Sequence, residues 1–218
     1  MYKNLVLIIP ALNESKTIKD VIAGASQFGQ VIVVDDGSND ETACIAKNAG
    51  AIVIRHSSNQ GYDRALASGL QKAIDIGYQF AITLDADGQH RSDAIQKVFT
   101  RLHDGAELVV GRRDRHQRIA EVLFAWISHL VWHIADPLCG IKGYNLDRLR
   151  TVTPLWTYNS VGTELTLLGV RSGWRVDQVS VHTNLRPGPS RFGGGIKANW
   201  IIFRALVVGL LNRRRAIH

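Results

Sequence analysis

Cysteine is nearly absent: Cys44 and Cys139 are the only two, and they stand far apart, outside any Cys-x-x-Cys spacing. That argues against a disulfide framework or a thiolate zinc site and leaves both as candidates for small buried hydrophobes. Long apolar runs are absent as well, since no stretch approaches the roughly 18 apolar residues that a membrane-crossing helix requires. His56, His90, His129, His133 and His182 form no His-Glu-x-x-His cluster. His129 and His133 are four apart, a ligand spacing, but no third ligand accompanies them, which disfavours zinc. Asp87-Gly88 lacks the later positions of an EF-hand loop. There is no internal repeat and no low-complexity linker. The opening Met1-Tyr2-Lys3-Asn4 leads into an apolar stretch too short for the core of a signal peptide, so a reducing, cytoplasmic setting is the expectation.

Negative charge is also in short supply. Nineteen acidic residues face 26 Lys and Arg, a net charge of +7. That balance suits an anionic partner, whether a nucleoside diphosphate, a lipid phosphate, a membrane surface or a nucleic acid. No aromatic residues interleave the basic runs as stacking platforms, and this disfavours the nucleic acid.

What is present is an alternation. Leu5–Ile9, Val31–Val34, Ala51–Arg55, Phe80–Leu84 and Leu108–Gly111 are apolar, β-type runs. Between them lie stretches with helical spacing. Asn13 or Ser15 is positioned to cap the first, Ser38 and Glu41 form a capping-box pattern for the second, Gly77 stops the third, and Ser92 opens the fourth. The order predicts an α/β fold with a mostly parallel sheet flanked by helices, in which ligands bind beyond the carboxyl ends of the strands. The polar clusters fall there: Pro10-Ala11-Leu12-Asn13-Glu14, Asp35-Asp36-Gly37-Ser38, His56 to Gly61, and Asp85-Ala86-Asp87. Asp85 and Asp87 are two apart at a strand end, so a continuing strand projects both to one side. Two such carboxylates suit a hard divalent cation, with Gln89 as a neutral third oxygen. An ordinary Asp-Gly turn is the alternative.

After Gly111 the alternation breaks. Arg112, Arg113, Arg115 and Arg118 form a basic patch, Val122–Ala135 is an apolar helix, and Thr163–Val170 and Arg175–Val181 read as a helix and a strand. A Gly/Pro-rich loop carries Arg191, and Trp200–Leu211 is apolar ahead of Arg213-Arg214-Arg215. The expected organisation is one domain over 1–218 with a C-terminal elaboration.

Ile9 to Glu14, Val33 to Thr42, Asn59-Gln60-Gly61, Asp85 to His90, Gly111-Arg112-Arg113, Asp136 to Tyr144 and Ser190-Arg191-Phe192 together resemble family 2 glycosyltransferases of the GT-A fold. Within them the chain looks most like the dolichyl-phosphate mannose synthase and polyprenyl-phosphate glycosyltransferase branch. The resemblance runs from about Asn4 to about Trp200 and implies a nucleotide-sugar-binding half at 1–111 and an acceptor and membrane-proximal half at 112–218. Two departures stand out. Gly61-Tyr62-Asp63-Arg64-Ala65 replaces a Gly-x-Gly-x-Ala pattern, and Arg91-Ser92 stands where proline usually follows the histidine.

The resemblance implies an inverting enzyme that moves a hexose from a UDP- or GDP-sugar to a polyprenyl (dolichyl or undecaprenyl) phosphate. It implies Mg²⁺ or Mn²⁺ held by Asp85, Asp87 and Gln89 against the leaving diphosphate. Pro10, Ala11, Asn13, Glu14, Asp36, Asn59, Asp85 and Ala86 would line the donor. Asp87, Asp136 and Arg191 would be the catalytic residues, with Asp136 as base or acceptor-orienting carboxylate. A sugar hydroxyl needs a base, whereas a lipid phosphate is already ionised and needs cations, for which Arg112, Arg113, Arg191 and Lys197 are suited. Glu164 would support that loop or a basic residue, or simply begin a helix. The apolar helices at 122–135 and 200–211 are too short to span a bilayer. They are expected to lie on an anionic membrane surface, giving a peripheral protein on the inner membrane face, or else to pack on the sheet or between copies in a homo-oligomer. The alternatives are a soluble family 2 enzyme acting on a sugar hydroxyl, a non-catalytic nucleotide binder, and a basic nucleic-acid-binding module.

Overall fold

The structure is a computed structural model and describes residues 1–87, 92–114, 119–151 and 161–182. Seven strands form one sheet in the order β3-β2-β1-β4-β6-β5-β7. In the chain they are β1 (Leu5–Ala11), β2 (Gln30–Asp35), β3 (Ile52–Arg55), β4 (Phe80–Thr83), β5 (Leu108–Arg113), β6 (Lys142–Asn145) and β7 (Val176–Val181). The helices are α1 (Ile18–Ser26), α2 (Thr42–Asn48), α3 (Tyr62–Ile76), α4 (Ser92–His103), α5 (Ile119–Trp132), α6 (Leu146–Leu149) and α7 (Val161–Arg171). All neighbouring strands run parallel except β6, which is antiparallel to both β4 and β5.

The unbroken apolar character of β1 follows from burial on both faces. Leu5, Leu7 and Ile9 join Val31 and Val33 under Ile18, Ile22, Val98 and Leu102 of α1 and α4. Val6 and Ile8 join Ile32 and Val34 under Leu66 and Leu70 of α3, with Phe124 of α5 and Leu165 of α7 in the same layer. Each such aliphatic side chain contributes about 1.5–3 kcal/mol on burial. Helix α3 approaches β1 closely enough that a β-carbon on Gly69 would sit 2.4 Å from Ile8 Cγ2. Gly77 ends α3 in the left-handed conformation, as its sequence position predicts.

Several local expectations are corrected. Strand β1 does not stop at Pro10 but continues to Ala11, paired with Asp35. The β1–β4 register ends at Ile8 and Thr83, with Ile8 carbonyl accepting from Leu84 N–H. Pro10 has the same edge orientation as Ile8, so its missing N–H falls where no ladder partner remains. Neither Asn13 nor Ser15 caps α1, which begins after Thr17. The Ser38/Glu41 box does not form: Glu41 makes no side-chain cap bond, Ser38 Oγ accepts from Asn13 N–H, and Asp40 accepts from Thr42 N–H. Cys139 is buried, but Cys44 is exposed on α2. Strand β6 was not legible as antiparallel, and α6 was not expected.

Candidate functional site

The carboxyl ends of β1, β2, β3, β4 and β5 share one edge of the sheet. Antiparallel β6 brings its first residue, Lys142, to the same edge, opposite Thr83 of β4. Backbone continuity between β4 and β6 is reinforced by Thr83 Oγ1, which donates to Gly140 carbonyl at 2.9 Å and accepts from Lys142 N–H at 3.2 Å.

On the β1–β2–β3 side the loops are clipped to one another. Asn13, at a positive φ of 54°, donates its N–H to Ser38 Oγ and accepts Asn39 N–H on Oδ1, both at 2.9 Å. Glu14 donates N–H to Thr42 Oγ1, and its carboxylate accepts from Thr17 Oγ1 at 2.7 Å. The adjacent acids at the end of β2, Asp35 and Asp36, serve different loops. Asp35 accepts from Ser38 N–H and pairs with Arg55 Nε at 3.2 Å. Asp36, only 3% exposed, accepts from Gln60 N–H at 2.9 Å and Gly61 N–H at 2.8 Å and meets His56 Nδ1 at 2.7 Å. It therefore organises the 56–61 loop, and a donor would share a carboxylate already engaged by the protein. Gly37 lies at φ 77°, and a β-carbon there would meet Ser58 C at 2.6 Å, so the two loops touch backbone to backbone. Asn59 is exposed, with Oδ1 accepting from Gly61 N–H. Pro10, Ala11 and Ala86 are buried.

At the end of β4, Asp85 is half-buried and Asp87 buried. Asp85 Oδ1 accepts from the Tyr62 hydroxyl at 3.2 Å. Its Oδ2 lies so close to Gly140 that a β-carbon there would be 2.0 Å away. Burial, then the charge on Asp85, pushes the Tyr62 phenol well above its usual range, so it remains a donor. Next to it, Asp63 accepts from Val161 N–H at 2.6 Å, joining the first turn of α3 to the start of α7. Burial raises the Asp63 pKa, opposed by that hydrogen bond and by Lys142. Tyr144, fully buried on β6, leaves its hydroxyl without a hydrogen-bond partner among the described residues.

On the β5 side, Asp136 is 1% exposed and held in a two-pronged fork by Arg113, with Nε to Oδ2 at 2.7 Å and Nη2 to Oδ1 at 3.0 Å. Arg113 N–H adds a third bond at 3.2 Å. Arg112 points outward to Ser180 Oγ. Lys142 is buried, and its Nζ donates to Cys139 carbonyl at 2.5 Å. Burial lowers its pKa, and Cys139, Asp136 and Asp85 oppose that shift. The Cys139 thiol is pushed up to about 12 by burial, which makes it unreactive.

The structure thus brings Asp85, Asp136, Arg113 and Lys142 to one edge, and Asp36 and Asn13 tie the neighbouring loops together. Lys142, Tyr62 and Asp63 were missed as site residues. The departure from the Gly-x-Gly-x-Ala pattern was a signal for the last two, and a lysine in the Cys-Gly-Ile-Lys segment was one for the first. Gln89, Arg191, Lys197, His90, Arg115, Arg118, Trp200–Leu211 and Arg213-Arg214-Arg215 lie outside the described residues. Glu164 lies half-buried in the first turn of α7. Among the described residues there is no group of three or more His, Cys, Asp or Glu placed to hold a metal. The rings of His129 and His133 stand 6.4 Å apart.

Comparison with known proteins places this geometry. The sequence model of a family described as Glycosyl transferase family 2 matches residues 6–135. A UDP-N-acetylglucosamine–dolichyl-phosphate N-acetylglucosaminyltransferase of Methanococcus voltae is 31% identical over 183 residues, 69% of this chain and 73% of that one. A dolichyl-phosphate hexose transferase of Haloferax volcanii is 24% identical over 212 residues, 89% of this chain and 90% of its own. Glucosyl-3-phosphoglycerate synthase from Mycobacterium tuberculosis, in complex with Mn²⁺, UDP and glucosyl-3-phosphoglycerate, superposes with a TM-score of 0.77 at 21% identity, over 97% of this chain and 80% of that one. That likeness identifies the fold as GT-A.

Proposed function

The chain belongs to glycosyl transferase family 2, and we propose that it moves a hexose, with inversion, from a nucleoside diphosphate sugar to a polyprenyl phosphate. The observation that carries the acceptor choice is the Arg113–Asp136 fork. A hydroxyl acceptor needs a general base, and a carboxylate that is 1% exposed and bonded on both oxygens to a guanidinium is poorly disposed to take a proton. A phosphate monoester arrives already ionised and needs none. The two dolichyl-phosphate relatives support the same reading.

A second feature supports a membrane-borne acceptor. Val122, Trp126 and Leu130, four apart on α5, are each more than half exposed, with Val131 beside them. Fourteen residues of helix reach about 21 Å, less than a hydrocarbon core. No helix among the described residues is long and apolar enough to cross a membrane. A short helix with an interfacial tryptophan on its open face suits docking on a bilayer surface.

Asp85 and Asp87 offer the hard oxygen donors that Mg²⁺ or Mn²⁺ prefers. These two carboxylates would hold a divalent ion, which would need further oxygen ligands from the diphosphate or water. Bound there, such an ion supplies Lewis-acid stabilisation of the departing diphosphate. The chain's own part is to orient Asp85 through Tyr62 and Gly140 and to keep Asp136 and Arg113 locked as one unit on the acceptor side.

The test is transfer of label from radiolabelled UDP- and GDP-hexoses to a short polyprenyl phosphate, followed by organic extraction. The expected product partitions into the organic phase, and D87A abolishes it. Label appearing only in water-soluble product with a soluble acceptor would overturn the lipid acceptor.

A further inference from the structure

The ring of His56 bridges two side chains from different elements. Nδ1 stands 2.7 Å from Asp36 Oδ1, and Nε2 stands 3.0 Å from Ser68 Oγ on α3. An ionised carboxylate only accepts, so Nδ1 carries the hydrogen, and Nε2 of the neutral ring accepts from the Ser68 hydroxyl. The His56 side chain is 9% exposed. Both ends of the bridge rest on fixed elements. His56 N–H donates to Asp35 carbonyl beside the β2–β3 ladder, and Ser68 precedes Gly69, where α3 packs hard on Ile8 of β1.

A carboxylate has about four in-plane acceptor positions. Among the described residues, His56 Nδ1 and Gln60 N–H occupy Oδ1 of Asp36, and Gly61 N–H occupies Oδ2. One acceptor position on Oδ2 is left over, on a carboxylate 3% exposed at the edge of the sheet where ligands bind. The 56–61 loop has holds of its own: the two amides on Asp36, and the backbone of Ser58 against Gly37. Those amides move with the loop, whereas the ring ties Oδ1 to β3 and α3.

We propose that His56, backed by Ser68, is a positioning residue for donor binding: through Nδ1 it holds Asp36 so that the open acceptor on Oδ2 keeps one direction, toward a hydrogen-bond donor of the nucleoside. The inference rests on the nucleotide-sugar reading made above. Holding the carboxylate in place before the ligand arrives removes an ordering cost from binding. The contribution is made equally in the ground state and the transition state, so it belongs to donor affinity and not to turnover.

Two substitutions separate the ring's two contacts, because asparagine places its amide nitrogen near Nδ1 and glutamine places its own near Nε2. Binding of UDP and GDP to the full chain, with Mn²⁺ present, is measured by isothermal titration calorimetry, and KM and kcat of sugar transfer are measured separately. H56Q keeps a partner for Ser68 and loses the one for Asp36. It should weaken binding of the nucleotide that wild type takes by about tenfold and raise the donor KM in proportion, with kcat and the acceptor KM within about twofold. H56N restores the contact to Asp36, gives up Ser68, and should recover most of that loss. A ring that merely fills space beside the loop would give the two variants equal losses. Should H56Q fail to fold, S68A frees the far nitrogen with the loop contacts intact and should raise the Kd about threefold; an unchanged Kd there overturns the role. Equal losses in H56N and H56Q, or H56Q binding within about twofold of wild type, overturn the role of His56 and leave the nucleotide-sugar reading intact. Wild type binding neither UDP nor GDP overturns both.

Discussion

Replacing Gly140 with alanine should separate activity from stability. The new β-carbon would stand 2.0 Å from Asp85 Oδ2, 2.6 Å from Cγ and 2.8 Å from Oδ1. Carbon and oxygen pack at roughly 3.5 Å, so the carboxylate must retreat by about 1–1.5 Å. The Tyr62 hydroxyl, 3.2 Å from Oδ1, then loses its acceptor. Leaving a buried hydroxyl unpaired costs about 1–3 kcal/mol. Asp85 is half-buried and has solvent on one side to move into, which places the stability loss at the lower end of that range. The effect on turnover should be larger: a displacement near 1 Å in a positioned group lowers rate about a hundredfold, or about 2.7 kcal/mol. Urea denaturation gives the first quantity, and initial rates of sugar transfer across a Mn²⁺ titration give the second. Because Tyr62 stays protonated well above the ordinary phenol range, the comparison holds across neutral and mildly alkaline buffers. If G140A turns over within about threefold of wild type, Asp85 is not oriented by this contact for the reaction.

The fork at Asp136 predicts a graded response. R113A leaves a 1%-exposed carboxylate without its guanidinium and should cost about 3–5 kcal/mol in chemical denaturation, whereas R113K, keeping charge but not the two-pronged geometry, should cost less than half of that. Equal losses in the two variants would show that geometry, and not charge, dominates. Asp63 predicts a pH signature. Burial raises its folded-state pKa above the ordinary 3.8, so the stability it contributes is complete below pH 3.8 and declines as pH rises through the folded value. D63N, which keeps an acceptor for Val161 N–H, should therefore be at least as stable as wild type at pH 7 and lose that advantage below pH 3.8. A constant difference in melting temperature from pH 3 to pH 7 would refute this.

Much of the nucleotide-side half was legible because its signals are local. An apolar run followed by a polar tip marks a strand and its carboxyl end, and this located Asp36, Asp85 and Asp87 at the carboxyl edge of the sheet. The details that failed were also local in appearance but non-local in cause. Ser38 and Glu41 have capping-box spacing, yet Ser38 Oγ is taken by Asn13 N–H from another loop, 25 residues away in sequence. Asn13 has the chemistry of a helix cap, yet it bridges β1 to β2 instead. Asp36 carries three bonds from the 56–61 loop that no local signal in the sequence shows.

The same division runs through the functional edge. By itself the sequence determined the α/β class, the run of parallel strands and the acidic character of their ends, since periodicity and strand termini depend on near neighbours only. Tertiary structure alone decided that β6 enters between β4 and β5 in reverse, because strand order is set by which faces and edges remain to be covered once the helices pack. That reversal puts the beginning of β6 at the ligand edge. It buries Lys142 opposite Thr83 of β4 and lays Gly140 against Asp85, and Asp136, shortly before β6, closes on Arg113 from 23 residues away.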